Sequence, residues 1–337
     1  MSTSSAWRGK HEGQGGEQPV LLVALRGGTL SAEQLRRVEG AAPDLQVVVT
    51  RDRAAIEGLL PRVRVVAGQF PHELLPGATA LEWIQQWGAG ADWLLRYPAA
   101  VDMPFVLTNA SGVHAVPISE HVMAYLLAFA RGLPTAFAHQ TQGQWHPLPA
   151  ASLFELKDKT LLLVGAGAIG ERVAALAAAF EMRVVVLRRD PSRLVPGAVA
   201  VRSDADLEAV LPGADFVVVT APLTSATRGM FGAEQFRAMK PTSYLVNIGR
   251  GGIVKEDELV AALRTGAIAG AGLDVFEEEP LPPDSPLWGM NGVMITSHYS
   301  GATPFYTERA LGIFLENLAR FTSGRELLNV VDKRAGY

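Results

Sequence analysis

The 337-residue chain carries 30 Lys and Arg against 34 Asp and Glu, a formal net charge of -4, which lacks the strongly basic field of a typical nucleic-acid binder. It has no cysteine. That excludes a disulfide scaffold, a zinc ribbon, an iron–sulfur site and a cysteine nucleophile, and is compatible with the cytoplasm. Apolar residues at 48% and charged residues at 19% give ample material for buried cores, the length suggests two domains, and no run of 18 apolar residues suggests a membrane span.

Residues 1–18 are rich in Ser, Gly and Gln and read as a flexible tail without the apolar stretch of a secretory signal. A strand over 20–25 leads to a Gly27-Gly28 turn, and Ser31 is placed to cap a helix over 32–39. Further strands are expected over 47–50, 63–67, 80–85 and 105–108. Each is a continuous apolar run without alternation, as in strands buried on both faces of a parallel sheet. A long helix is expected over 118–138, then a Gly-, Gln- and Pro-rich segment over 140–151. A second series follows: strands at 161–164, 183–187, 216–220, 243–248, 268–273 and 293–296, with helices at 168–180, 255–264 and 303–322. The class is α/β, with two doubly wound parallel-sheet domains and a crevice between them, the second one Rossmann-like.

Gly165-Ala166-Gly167-Ala168-Ile169-Gly170 is a G-x-G-x-x-G run after an apolar strand and at the opening of an Ala-rich helix. In that setting the first glycine makes the tight turn and the second admits a pyrophosphate to the backbone. The third lets helix and strand pack closely. A glycine turn without a ligand is the plain alternative, since the chain holds 34 glycines. An acid at the end of the next strand would hold a free ribose 2′-OH. Here Arg188 and Arg189 follow Leu187, a pair suited to a 2′-phosphate, so NADP is preferred and NAD stays possible through Asp190.

Three more segments sit at expected carboxyl ends of strands: Arg250 within 247–252, the acidic run Glu277-Glu278-Glu279 after Asp274, and His298 within 297–302. Each has a bland reading: a surface arginine, a solvated acidic loop, a satisfied buried histidine. Together they make a coherent hydride-transfer site, because a carbonyl needs a proton donor, an anionic substrate needs an arginine, and the donor needs an acid to hold its charged form. His72, His114, His121, His139 and His146 have no comparable setting. No metal site is expected.

These motifs, with Ala221-Pro222-Leu223-Thr224, resemble the D-isomer-specific 2-hydroxyacid dehydrogenase family, including glyoxylate/hydroxypyruvate reductases and phosphoglycerate dehydrogenases, from residue 19 to residue 332. Arg250 precedes Glu279 by 29 positions and Glu279 precedes His298 by 19, spacings in keeping with the family. The resemblance implies His298 as acid/base, Glu279 as its partner and Arg250 as the substrate-orienting arginine. It implies a backbone hold on the substrate carboxylate at Ala89 and Gly90, within Gly88-Ala89-Gly90-Ala91-Asp92. The cofactor contacts it implies are Gly165, Gly167, Ala168, Ile169, Gly170, Arg188, Arg189, Ala221, Pro222, Ile248, Arg250, Asp274, His298 and Gly301. It further implies a dimer built on the helix opened by Ser119-Glu120-His121. The chain would divide into the tail at 1–18, a discontinuous substrate domain at 19–111 and 303–337, and a dinucleotide domain at 112–302.

The resulting expectation is an NADPH-preferring reductase of small 2-oxo acids, yielding D-2-hydroxy acids, that is a cytoplasmic homodimer and binds neither nucleic acid nor membrane. The family also implies two alternatives: a formate- or phosphite-type dehydrogenase on the same fold, and a dinucleotide-sensing corepressor-like protein without turnover. Two departures bear on this: Arg188 stands where many members have Asp, and Thr220 where many have His.

Overall fold

A computed structural model describes residues 17–25 and 30–336. Most of the expected tail and the Gly27-Gly28 turn lie outside the described residues. The chain divides into two compact units: one runs to Val113 and resumes at Pro304, and the other is His114–Thr303.

The first unit contains β1 (Val20–Ala24), α1 (Ala32–Ala41), β2 (Gln46–Val49), α2 (Arg53–Leu59), β3 (Val63–Gly68), β4 (Trp83–Gln85) and β5 (Val106–Thr108). Its sheet has the order β2-β1-β3-β4-β5, and every pairing is parallel. Both faces of β1 are buried: Val20, Leu22 and Ala24 join one core, Leu21 and Val23 the other. That is why the strand reads as an unbroken apolar run. Ser31 caps α1 in a complete capping box, its Oγ accepting from Gln34 N at 3.2 Å while Gln34 Oε1 accepts from Ser31 N at 2.8 Å.

The second unit contains α3 (Ala115–Ala130), α4 (Leu133–Thr141), β6 (Thr160–Val164), α5 (Ala168–Ala179), β7 (Arg183–Leu187), β8 (Ala198–Arg202), α6 (Leu207–Val210), β9 (Phe216–Val219), α7 (Ala233–Ala238), β10 (Tyr244–Asn247), α8 (Glu256–Thr265), β11 (Gly270–Leu273) and β12 (Val293–Ile295). The chain then returns to the first unit with α9 (Tyr306–Thr322). The seven-stranded parallel sheet runs β12-β11-β10-β9-β6-β7-β8. Strand order reverses between β6 and β9, the place where doubly wound sheets take ligands at strand carboxyl ends. Leu162 and Val164 face one core and Leu161 and Leu163 the other.

The helix expected over 118–138 is two helices. Gly132 takes a left-handed conformation, φ 62°, and Pro134 then starts α4 in its first turn. Besides the four-residue α6, three elements had no strong sequence pattern. β8 is a half-exposed edge strand. α2 is seven residues long, capped by Asp52 onto Ala55 N at 2.8 Å. α7 is a six-residue helix. The strand expected over 80–85 is paired only from Trp83. Among the described residues no helix is long and apolar enough to cross a membrane.

Candidate active site

The glycine loop closes β6 onto α5. Gly165 has φ 94°, and a Cβ there would lie 2.8 Å from the backbone of Ala221, so only glycine fits the turn. At Gly170 a Cβ would meet Gly165 O at 2.5 Å, so this glycine sets the closeness of helix and loop. At Gly167, the N-cap of α5, a Cβ would point into open space. Gly167 and Ala168 are exposed and Ile169 is half-buried. The cradle therefore fits a pyrophosphate at a helix N-terminus. Thr220 braces it, its hydroxyl donating to Gly165 O at 2.8 Å. Ala221 is buried and Pro222 exposed beyond it.

Arg188 and Arg189 follow β7. Arg188 Nη1 is buried with no hydrogen-bond partner among the described residues, an orphaned donor of the kind an anion satisfies. Asp190 is turned to other work: its Oδ1 accepts from Ser192 N at 3.0 Å and from Ser192 Oγ at 2.6 Å. These bonds, with Arg188 and Arg193 nearby, hold its carboxyl below the usual range.

Arg250, Asp274, Glu279 and His298 come from the ends of β10, β11 and β12, which are parallel to one another and to β9 and β6. They therefore share one sheet edge with the glycine loop. Buried Asn247 shapes the arginine turn, accepting from Gly249 N at 3.1 Å and donating to Arg250 O at 3.1 Å. Arg250 Nη1 donates to Gly249 O at 2.8 Å. Ile248 is buried beneath.

His298 Nδ1 lies 2.6 Å from Glu279 Oε2, and the other carboxylate oxygen accepts from Phe276 N at 3.0 Å. Glu279 is thus fixed at both oxygens. An Nδ1–H facing the carboxylate leaves Nε2 as the nitrogen able to exchange a proton with a ligand. Of the acidic run only Glu279 reaches the histidine. Glu277 Oε1 instead accepts from Glu256 N at 3.4 Å.

His298 has φ 53°, a conformation that a non-glycine residue holds only where surroundings compel it. The compulsion comes from Asp274, which is fully buried. Its backbone oxygen accepts from His298 N at 2.9 Å. Its carboxylate accepts from Thr296 Oγ1 at 2.6 Å, Tyr299 N at 3.1 Å, Ser300 N at 3.1 Å and the Ser300 hydroxyl. One carboxylate folds the whole loop that presents His298.

Two histidines that the sequence left aside pack against this loop. His121 Nε2 is 3.1 Å from Thr296 Oγ1, and the Tyr125 hydroxyl is 2.7 Å from the same atom. His114 Nδ1 is 3.0 Å from Gly301 O, and a Cβ on Gly301 would strike the His114 ring. Burial pushes His114 below its ordinary value, and the Arg250 charge adds to this. Burial also lowers His121, against the opposing pull of Asp274, and raises Tyr125. Positions 114, 118, 121 and 125 share one helix face. That periodicity, with polar residues at three of the four, was the available signal. Ala89 and Gly90 belong to the other unit, half-buried in the loop after β4.

A family profile described as the NAD binding domain of D-isomer specific 2-hydroxyacid dehydrogenase matches residues 123–300. The chain is 33% identical over 300 residues to a glyoxylate reductase of Korarchaeum cryptofilum, covering 87% of each chain. A solved D-isomer specific 2-hydroxyacid dehydrogenase from Xanthobacter autotrophicus, in complex with NADPH and MES, is 30% identical with a TM-score of 0.81, covering 95% of this chain and 100% of that one. An NADPH-dependent glyoxylate/hydroxypyruvate reductase from Sinorhizobium meliloti, solved with NADP and sulfate, gives the same TM-score of 0.81 at 30% identity, over 95% and 100% of the two chains.

Proposed function

The chain belongs to the D-isomer specific 2-hydroxyacid dehydrogenase family, and from that premise we propose that it reduces small 2-oxo acids of the glyoxylate or hydroxypyruvate kind to D-2-hydroxy acids, with NADPH preferred over NADH. The observation that carries the reading is the 2.6 Å pairing of Glu279 with His298 on the sheet edge that also bears the glycine loop and Arg250. A site meant only to bind a dinucleotide has no use for an acid-held histidine beside it. Preference for NADPH is supported by the orphaned guanidinium nitrogen of Arg188, by Arg189 beside it, and by Asp190 being occupied with Ser192.

The bound nicotinamide supplies the hydride. The protein supplies the rest. Gly165, Gly167 and Gly170, with the N-terminus of α5, hold the pyrophosphate. Ala168, Ile169, Ala221, Pro222, Ile248 and Gly301 complete the cofactor's surroundings, and Asp274, expected among them, acts through the loop it organises because its carboxylate is fully buried and occupied. Arg250 takes the substrate carboxylate and polarises the carbonyl through its planar fork of donors. In the first unit, the backbone N–H groups of Ala89 and Gly90 are the groups we propose to bind a carboxylate. His298 delivers a proton from Nε2 to the carbonyl oxygen as negative charge develops there, and Glu279 stabilises the imidazolium before transfer.

The assembly we propose is a homodimer. Leu133, Phe137 and Trp145 are 38%, 59% and 97% exposed on α4 and the segment after it, an apolar surface that a second copy of the chain would cover. Light scattering of a monomer at micromolar concentration would remove this part of the reading. The activity itself is tested by following NADPH and NADH absorbance against a panel of 2-oxo acids. Oxidation of neither cofactor by any of them, with cofactor still bound, would favour a sensor over an enzyme.

A further inference from the structure

We infer that Gln86 is a positioning residue for substrate recognition: its side-chain amide turns the carbonyls of the 88–90 loop inward and leaves the loop's N–H groups to take the substrate carboxylate. The inference rests on the function proposed above and adds to it the residue on which discrimination between a 2-oxo acid and an uncharged carbonyl compound depends.

Five successive carbonyls in this segment are turned to partners within the protein. Trp87 O accepts from the Tyr306 hydroxyl at 3.1 Å. Gly88 O accepts from Ala110 N at 3.1 Å and from Gln86 Nε2 at 3.3 Å. Ala89 O accepts from Asn109 Nδ2 at 2.7 Å. Gly90 O accepts from Gln86 Nε2, and Ala91 O from Leu94 N. The N–H groups of Ala89, Gly90 and Ala91 meet no acceptor among the described residues. Consecutive N–H groups left without an internal acceptor are available to an anion.

Gln86 holds two of the five carbonyls, and the geometry fixes which way its amide faces. Trp93 Nε1 donates to Gln86 Oε1 at 2.8 Å. An indole nitrogen is only a donor, so the amide oxygen must face it and the NH2 group must face the loop. Trp93 is itself buried and stacks on His72, with ring centroids 4.0 Å apart and planes within 6°. The order of dependence is therefore His72, Trp93, Gln86, loop.

The test compares glyoxylate with its neutral methyl ester in the full-length wild type, Gln86→Leu and Trp93→Phe. Gln86→Leu keeps the bulk and removes both donors. A relaxed loop can then rotate its peptide units, and the gain from charge-assisted N–H contacts to the carboxylate falls. KM for glyoxylate should rise about tenfold, the equivalent of one such contact. kcat at saturation, kcat/KM for the ester and the affinity for NADPH by fluorescence should all stay within about twofold to threefold. Trp93→Phe keeps an aromatic ring against His72 and loses the orienting N–H together with some buried volume, so the shift should have the same direction and be smaller, with the volume loss read separately as thermal stability. If Gln86→Leu fails to fold, Trp93→Phe alone decides. A purely structural role would lower thermal stability and total active enzyme without changing the acid-to-ester ratio, and an unchanged ratio in folded variants overturns the inference. Wild-type enzyme that does not distinguish glyoxylate from the ester overturns the carboxylate-binding reading itself, which is a separate result.

Discussion

Replacing Arg188 should change which cofactor the enzyme uses. Its buried Nη1 has no partner among the described residues, and a buried donor left unpaired costs about 1–3 kcal/mol. A 2′-phosphate would satisfy that donor with a charge-assisted bond, a gain of about 1.5–3 kcal/mol for hydrogen bonds to charged groups. A ribose hydroxyl returns much less. Arg188→Ala should therefore lower kcat/KM for NADPH by on the order of 10- to 100-fold, with NADH nearly unaffected. Arg188→Asp should go further, since it adds an acceptor for the 2′-OH and repels phosphate. Two assays read this: the NADPH to NADH ratio of kcat/KM, and the thermal shift each cofactor gives at a fixed concentration, which follows its dissociation constant. Asp190→Asn is the control. Its carboxylate already serves Ser192, so this change should leave the NADH rate in place. An unchanged cofactor ratio in Arg188→Ala, or a collapse of NADH use in Asp190→Asn, would refute the assignment.

His298→Gln should lower reduction by roughly 10²–10⁴-fold, the usual loss with a general acid, while cofactor titration by fluorescence stays close to wild type. Glu279→Gln should displace the pH–rate profile of reduction, and Glu277→Gln and Glu278→Gln should not; three superimposable profiles would take Glu279 out of the mechanism. Arg250→Lys keeps charge and loses the fork, so it should raise KM and lower kcat together, each by about tenfold, and steady-state kinetics near wild type would place Arg250 elsewhere. Burial depresses His72, His114 and His121 in the folded protein. The unfolded chain then binds more protons than the native one below about pH 6.5, so stability is complete above that value and declines as pH falls through it. Urea midpoints should drop between about pH 7.5 and pH 5.5, and an invariant midpoint would contradict this.

The parallel strands were legible because burial on both faces leaves a run such as Leu161-Leu162-Leu163-Val164 with no polar interruption. The first-turn cap at Ser31 was legible because a capping box is local chemistry. The break at Gly132 was missed because a left-handed residue between two helices leaves the apolar periodicity on either side intact. β8 was missed because edge strands are half-exposed, and Ala198-Val199-Ala200-Val201-Arg202 lacks the apolar weight of a central strand. Gln86 carried no signal at all. Its role depends on Trp93, Asn109 and Ala110, which the fold brings to one loop.

The acidic run illustrates the limit most sharply. Glu277, Glu278 and Glu279 are chemically alike, and nothing in their spacing alone separates a solvated loop from a functional pair. Separation comes from two buried constraints. Phe276 N binds Glu279 and so folds the turn back on itself. Asp274 holds His298 in a backbone conformation that an isolated histidine would avoid. A carboxylate with four side-chain and backbone donors and no exposure is costly to place, and that cost is offset only if the native loop satisfies every donor at once. Asp274→Asn would replace acceptor capacity with an NH2 group facing other donors. The loop from Thr296 to Ser300 would then lose its organiser, and the 2.6 Å pairing of His298 with Glu279 would loosen although neither residue had been touched.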